Sequence, residues 1–274
     1  MINPCSLKEL TLLPRATARM PALFMGHGSP MNAIEENSFT KGWRQAGEEL
    51  PLPAAILCIS AHWLTRGTYI TAMEAPATIH DFGGFPESLY EVQYAAKGNP
   101  ELAKLAQETT KSNSIALSHD WGLDHGAWSV LRHLYPQANI PVVQLSLDYT
   151  KDLQWHYQLA RELASLRDRG VLVVGSGNIV HNLRLLDWHR STGFGWALEA
   201  NDKIKNFIQQ RDHQQLINYR NLGTAVQQAV PTPDHYLPLI YTLGLQDEKE
   251  QATFFNDDTV VGSISMTSVK IAAV

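Results

Sequence analysis

The sequence predicts a single α/β domain with a mostly parallel central sheet covered by helices on both faces. Short apolar runs, among them Ala22-Leu23-Phe24-Met25, Ala55-Ile56-Leu57-Cys58-Ile59 and Val171-Leu172-Val173-Val174, alternate with stretches of helical character. Strands that alternate with helices favour a parallel, doubly covered sheet. The 274 residues, 44% of them hydrophobic, are enough to bury one large core. No internal repeat or low-complexity tract divides the chain.

Residues 1–19 carry neither strong periodicity nor a motif and read as a leader segment without function, which leaves 20–274 as the domain. Residues 22–27 and 54–63 read as buried strands, with a polar helical pattern over 34–50 between them. A shorter strand alternates over 68–73. The following stretch, 74–94, is rich in Gly and Pro with aromatic residues interleaved, and reads as a long loop or lid. Asn99 as a cap and Pro100 at the first position open a helix over 100–110. Then come a strand over 115–118, a helix over 125–134 ended by Pro136, a strand over 140–147, a helix over 153–169 stopped by Gly170, and a strand over 171–175. Residues 196–211, 212–219 and 234–243 look helical, and 260–269 looks like a closing strand.

Charge excludes several classes of partner. With 22 basic and 27 acidic residues the formal net charge is −5, and both signs are spread along the chain, so neither nucleic acid nor an anionic membrane is expected. Cys58 lies in an apolar run and reads as a buried thiol; with only Cys5 besides it, no disulfide framework is implied. Lys8, Glu9, Arg15 and Arg19 leave too short an apolar stretch for a signal segment or a membrane span, so the expected location is the cytoplasm. No coiled-coil heptad or interface stripe is visible, and the sequence assigns no oligomeric state.

Five histidines carry the functional signal: His27, His62, His125, His181 and His235. Three of them follow apolar runs, and the carboxyl ends of parallel strands converge on one crevice. Small neighbours, Gly26 and Gly28 around His27 and Ser60-Ala61 before His62, let backbone and ligand approach closely. Each alone has an alternative as a hydrogen-bonded turn residue; together they read as a dispersed, imidazole-rich metal site. His133, His156, His189 and His213 read as ordinary, with His80 and His119 in reserve near the site. There is no CxxC pair, HExxH helix or GxSxG elbow. Gly175-Ser176-Gly177-Asn178 lacks both the Lys-Ser/Thr of a phosphate loop and GxGxxG spacing.

Several motifs occur in a fixed order: Gly26-His27-Gly28-Ser29-Pro30, Ser60-Ala61-His62-Trp63, Ile79-His80-Asp81-Phe82-Gly83-Gly84-Phe85-Pro86, Asp124-His125-Gly126-Ala127-Trp128, Gly175-Ser176-Gly177-Asn178-Ile179-Val180-His181-Asn182-Leu183 and Pro231-Thr232-Pro233-Asp234-His235-Tyr236-Leu237-Pro238-Leu239. Together, from about residue 20 to the C-terminus, they resemble the extradiol ring-cleavage dioxygenases of the 4,5-DOPA type, relatives of the protocatechuate 4,5-dioxygenase catalytic subunit. The resemblance implies one α/β domain, one divalent metal per chain, and opening of catechols such as L-DOPA with O2 to a 4,5-seco product.

By the same resemblance, His27, His62 and His235 look like metal ligands. His235 stands where the wider superfamily supplies a carboxylate, a departure from the two-His-one-carboxylate pattern that Asp234 would restore. His181 matches the catalytic histidine and is also counted among the ligands, so both roles stay open; His125 matches a histidine that hydrogen-bonds substrate or oxygen. An all-imidazole set leaves the metal's charge uncompensated and favours a catechol anion. Fe(II) is expected for turnover, with Zn(II) the second candidate for the bound ion. Phe82, Phe85 and Trp63 are expected as an aromatic wall over a planar substrate, with plain packing as the alternative, and Gly83-Gly84 would allow loop motion. Two rival readings stand beside this one: a zinc-dependent hydrolase and a non-catalytic metal-binding protein of the same fold.

Overall fold

A computed structural model describes residues 19–111 and 114–273. The chain runs β1 (Ala22–Gly26), α1 (Ser38–Glu49), β2 (Ala55–Thr65), β3 (Thr68–Thr71), α2 (Glu87–Tyr90), α3 (Pro100–Thr109), β4 (Ile115–Ser118), α4 (His125–Leu134), β5 (Val142–Asp148) and α5 (Leu153–Leu163). It continues through β6 (Val171–Gly177), α6 (Gly195–Gln210), α7 (His213–Ile217), α8 (Thr224–Ala229), α9 (Leu237–Gly244), β7 (Glu250–Phe255), β8 (Thr259–Val260), β9 (Ile264–Ser265) and β10 (Ser268–Ala273). Among the described residues, eight strands form one sheet in the order β4-β3-β5-β2-β6-β1-β10-β7.

The centre of the sheet is parallel, β5-β2-β6-β1, and these are the strands that read as continuous apolar runs. The reason is burial on both faces. Side chains alternate along β1: Leu23 and Met25 pack with Trp43 of α1 and Trp128 and Leu131 of α4, while Ala22 and Phe24 pack with Leu159 of α5, Ile204 of α6 and Leu239 of α9. The result is the expected single α/β domain. Antiparallel additions lie on both flanks, with β10 between β1 and β7 and β3 beside β5.

Local signals account for most boundaries. Asn99 caps α3 through Leu102 N–H, and Gly170 takes a φ of 79° to end the segment after α5. The polar helix starts later than its pattern, at Ser38, because Asn37 and Thr40 form a reciprocal capping box there. The stretch 153–169 splits into α5 and a 3₁₀ turn, Ala164–Arg169.

Residues 260–269 are not one strand. Val261 (φ 43°) and Gly262 (φ 78°) reverse the chain, so β8 and β9 pair as a small hairpin and the closing strand is β10. β7, with Glu250, Gln251 and Thr253, is a polar edge strand that gave no apolar signal. The leader assigned to 1–19 lies outside the described residues except for Arg19, which pairs with Asp168 at 3.0 Å. Among the described residues no helix is long and apolar enough to cross a membrane.

A buried ion pair ties β7 to the body of the domain. Arg167, fully buried, donates to both carboxylate oxygens of Glu250 and to the carbonyls of Met20 and Leu245, the last two at 2.7 Å. Removing one partner strands a buried charge. Glu250→Ala is expected to lower the unfolding free energy by about 3–5 kcal/mol in urea titrations; a loss below about 1 kcal/mol, the range of exposed pairs, would contradict it.

Parallel topology also sets the location of chemistry. The carboxyl ends of β1, β2 and β6 open on one edge of the sheet, where the N-terminus of α4 and the turn before α9 meet them.

Candidate metal centre

All five histidines singled out from the sequence line one cavity of about 510 Å³. His27 directly follows β1, and its backbone N–H still pairs with Gly177 at 3.1 Å. His62 lies within β2 where the strand turns irregular: pairing with β6 ends at Ser60 and pairing with β5 resumes only at Leu64. The two Nε2 atoms stand 3.3 Å apart. His235 approaches from the turn before α9, with its ring centroid 5.3 Å from that of His27 and 5.0 Å from that of His62. One ligand nitrogen from each of these three lies within 4.8 Å of the others. His125, the first residue of α4, sits 3.9 Å from His62 by ring centroid. His181 lies flat on His235, 3.5 Å away with an interplanar angle of 8°.

Hydrogen bonds around the rings point lone pairs at a common centre. The Ser176 hydroxyl donates to Gly126 O at 2.5 Å, so it accepts from His27 Nδ1–H at 3.0 Å, which leaves His27 Nε2 as a bare acceptor. His235 Nδ1–H donates to the Asp234 carboxylate in the same way, and His62 Nδ1 stands 3.6 Å from Asp81 Oδ2. Metal-bound histidines commonly place their second nitrogen on such an acceptor. At 3.3 Å the two Nε2 atoms can share a proton when no ion is bound, and tetrahedral ligands at ~2.0–2.1 Å from a metal are themselves about 3.3 Å apart, so the same spacing suits a shared cation. The donor set fits a divalent ion.

Burial favours the neutral form of His27, His62 and His181. It holds His27 and His62 well below the ordinary histidine range, reinforced by their histidine neighbours. His181 is pushed down to about 3 by burial and His235, against the pull of Asp234; elsewhere, His156 is pushed down to about 4 by burial. In the metal-free protein the sign follows: the unfolded chain takes up protons near pH ~6.5 that the folded chain refuses, so stability is complete above that pH and falls as pH drops toward 4. Each histidine contributes a slope of about 1.4 kcal/mol per pH unit. The urea midpoint of metal-free protein is expected to fall steeply between pH 7 and 5, with added divalent ion opposing the fall; a flat profile would contradict this.

The polypeptide is shaped to permit these approaches. A Cβ on Gly126 would meet Ser60 Oγ at 2.5 Å and His62 Cδ2 at 2.7 Å, and one on Gly177 would meet His235 O at 2.2 Å. Asp124 caps α4 by accepting from Ala127 N–H at 3.0 Å and is held from behind by the Gln144 amide.

Asp81 had no role in the sequence reading. One oxygen accepts from the His125 backbone N–H at 2.8 Å and lies 3.0 Å from His125 Nδ1, while the other faces His62. Burial opposes its ionisation, and His125 overcomes this to hold the carboxyl below its usual range. A carboxylate in a Gly/Pro-rich loop has no periodicity to reveal it; the signal was its place in His80-Asp81-Phe82. Asp81→Asn is expected to weaken divalent-metal affinity by about 10–100-fold, read by competition with a chromophoric chelator. Unchanged affinity would remove Asp81 from the centre.

The expected aromatic wall is only partly where it was sought. Phe85 lines the cavity. Phe82 packs edge-on against His125 at 5.5 Å, outside the cavity lining. Trp63 is buried and stacks on Trp121 at 5.6 Å, because strand alternation turns it away from the side His62 faces. Apolar lining is supplied also by Phe39, Leu186, Trp188, Val260, Val261 and Met266, which the sequence scatters over three segments with no common motif. His80 bonds Val92 O at 3.0 Å and His133 bonds Asn32 O at 2.8 Å, both in structural roles. His119 is exposed and outside the cavity lining.

The family model of the catalytic LigB subunit of aromatic ring-opening dioxygenase matches residues 18–269. The chain belongs to this family. Relatives of this LigB-type dioxygenase include the 4,5-DOPA dioxygenase extradiol of Escherichia coli (strain K12), 49% identical over 93% of this chain and 96% of the relative. The 4,5-DOPA dioxygenase extradiol of Beta vulgaris is 34% identical over 91% of this chain and 96% of its own. A crystal structure of an uncharacterized Escherichia coli K12 protein is similar with a TM-score of 0.81 at 43% identity, covering 92% of this chain and 99% of that one. The enzyme is an extradiol ring-cleaving dioxygenase of the metal-using LigB type.

Proposed function

We propose that this LigB-type enzyme opens catechols such as L-DOPA with O2, giving 4,5-seco-DOPA from DOPA, at one divalent metal held by His27, His62 and His235. The observation that carries this reading is the set of three rings whose Nδ1 atoms face Ser176, Asp81 and Asp234. When bound, Fe(II) supplies the redox chemistry that joins a catechol to dioxygen, whereas Zn(II) fits the same nitrogens but has no redox chemistry to offer.

The chain's own residues bind, dry and move protons. His27, His125 and His235 are 2%, 5% and 8% exposed, so charge on a catecholate is felt at low dielectric. The carboxylates of Asp81 and Asp234 stand behind the rings, and the charge of a bound catecholate takes the place of an acidic ligand. His181, stacked on His235 and outside the group formed by His27, His62 and His235, is assigned to proton transfer. A base depressed this far needs an anionic neighbour, and a catecholate raises its basicity by Coulomb attraction. His125, anchored on Asp81, keeps Nε2 for a hydrogen bond to substrate or oxygen, and histidine serves both directions of proton transfer.

Oxygen uptake tests the reading: protein loaded anaerobically with Fe(II), given L-DOPA in air, beside a Zn(II)-loaded control. Iron-dependent uptake with a new yellow product is expected. Absence of uptake with both ions, together with oxygen-independent hydrolysis of an ester, would replace the reading with a zinc hydrolase.

A further inference from the structure

We infer that the cavity selects catechols bearing an apolar, uncharged substituent over those bearing a zwitterionic amino-acid end, so that L-DOPA is accepted as a poor substrate. This rests on the reading of the site as a catechol-cleaving centre. Among the described residues that line the cavity there is no Lys, Arg, Asp or Glu. Away from the histidines the lining is mostly apolar, with Phe39, Leu186, Trp188, Val260, Val261 and Met266 among it. The polar side chains of the lining, Ser29, Asn32 and Asn37, each bond the chain, which leaves the Ser29 hydroxyl hydrogen as a neutral donor with no charge to offer a carboxylate. Ser29 Oγ accepts from Met31 N–H, the Asn32 amide donates to His27 O and accepts from Asn37, and the Asn37 oxygen caps α1.

Two apolar side chains of the lining continue to the rim, beside the exposed Arg184, which lies outside the cavity lining. Trp188 is 73% exposed and Leu183 61%, and both line the cavity, so they extend its apolar surface to solvent. On the same loop, Arg190 is committed: its guanidinium lies over the Phe194 ring at 4.8 Å and donates to Gly193 O at 3.3 Å. An α-carboxylate is best recognised by a bidentate Arg, and an unpaired ammonium or carboxylate leaves water at a heavy cost. An alkyl or aryl substituent gains by the same burial. A volume of about 510 Å³ is typical of sites for drug-sized ligands (~300–1,000 Å³), so the outer half has room for that substituent.

The test compares catechol, 4-methylcatechol, 4-propylcatechol, 3-(3,4-dihydroxyphenyl)propanoate and L-DOPA. Two quantities are measured: kcat/KM of Fe(II)-loaded enzyme, and calorimetric binding to Zn(II)-loaded protein, which needs no turnover. Both are expected to improve about fourfold per methylene up to propyl, the equivalent of ~0.8 kcal/mol per buried CH2, with L-DOPA at least about tenfold below 4-propylcatechol. Leu186→Arg is expected to shift the ratio toward the carboxylate-bearing compounds. L-DOPA equal to or better than 4-propylcatechol in both measurements overturns the inference while the catechol-cleaving reading stands. Failure of every catechol to bind or turn over overturns that reading, and the inference with it.

Discussion

Replacing His27 with alanine is expected to leave a folded protein that has lost its divalent metal and its oxygen-dependent activity. In the proposed centre His27 would supply one of three ligand nitrogens, and its ring is held by Ser176, itself fixed to Gly126 O. Binding free energies of ~10–16 kcal/mol for structural zinc, shared over four positions, assign each ligand enough to weaken affinity by at least about 10²–10³-fold. Nothing in the fold depends on the imidazole, since the cores on both faces of β1 are built from Leu23, Met25, Ala22 and Phe24. His133→Gln, at a buried histidine that lies outside the cavity lining and bonds the backbone carbonyl of Asn32, serves as the control and should keep its metal. Chelator competition and oxygen uptake read the two effects; full oxygen-dependent activity in His27→Ala would sink the assignment of the centre.

His181→Gln separates the two roles that the sequence left open for that residue. If His181 moves protons, the variant keeps metal affinity within about twofold while kcat falls by about 10²–10⁴-fold, the usual contribution of general acid–base catalysis. If it is a ligand, metal affinity falls as it does for His27→Ala. Geometry favours proton transfer. His181 groups with Asp234 and His235 and not with His27 and His62, and its ring lies parallel to that of His235. Two stacked imidazoles present their in-plane lone pairs side by side, an awkward arrangement for binding one ion. Near-normal turnover in the glutamine variant would refute the proton-transfer role, and lost metal would return His181 to the ligands.

Much of this enzyme was legible before its fold. The apolar runs announced β1, β2, β5 and β6 because strands buried on both faces tolerate few polar residues, and caps such as Asn99 and stops such as Gly170 are local events written in adjacent residues. The five histidines stood out because Gly, Ser and Ala beside them suit close approach and not core packing. The hairpin of β8 and β9 escaped, since Val261 at positive φ is an unfavourable choice that only its surroundings impose. β7 escaped because an edge strand anchored by the Arg167–Glu250 pair needs no apolar run.

The division within the site has the same physical origin. Residue type and local spacing are properties of the chain, so the imidazole-rich chemistry and its strand-end setting were readable there. Which nitrogen faces inward is a property of partners remote in sequence: Ser176 lies 149 residues from His27, and Asp81 reaches both His62 and His125 from a loop without periodicity. The same holds for the wall. Strand alternation carried Trp63 away from the cavity, while Phe39, Leu186, Trp188 and Met266 were brought to it by chain reversals whose geometry depends on long-range packing. The imidazole-rich chemistry was therefore legible in local residues and the dioxygenase type in the ordered motifs, whereas the ring hydrogen bonds, the grouping of the histidines and the cavity lining depend on contacts that exist only once the sheet has closed its two cores.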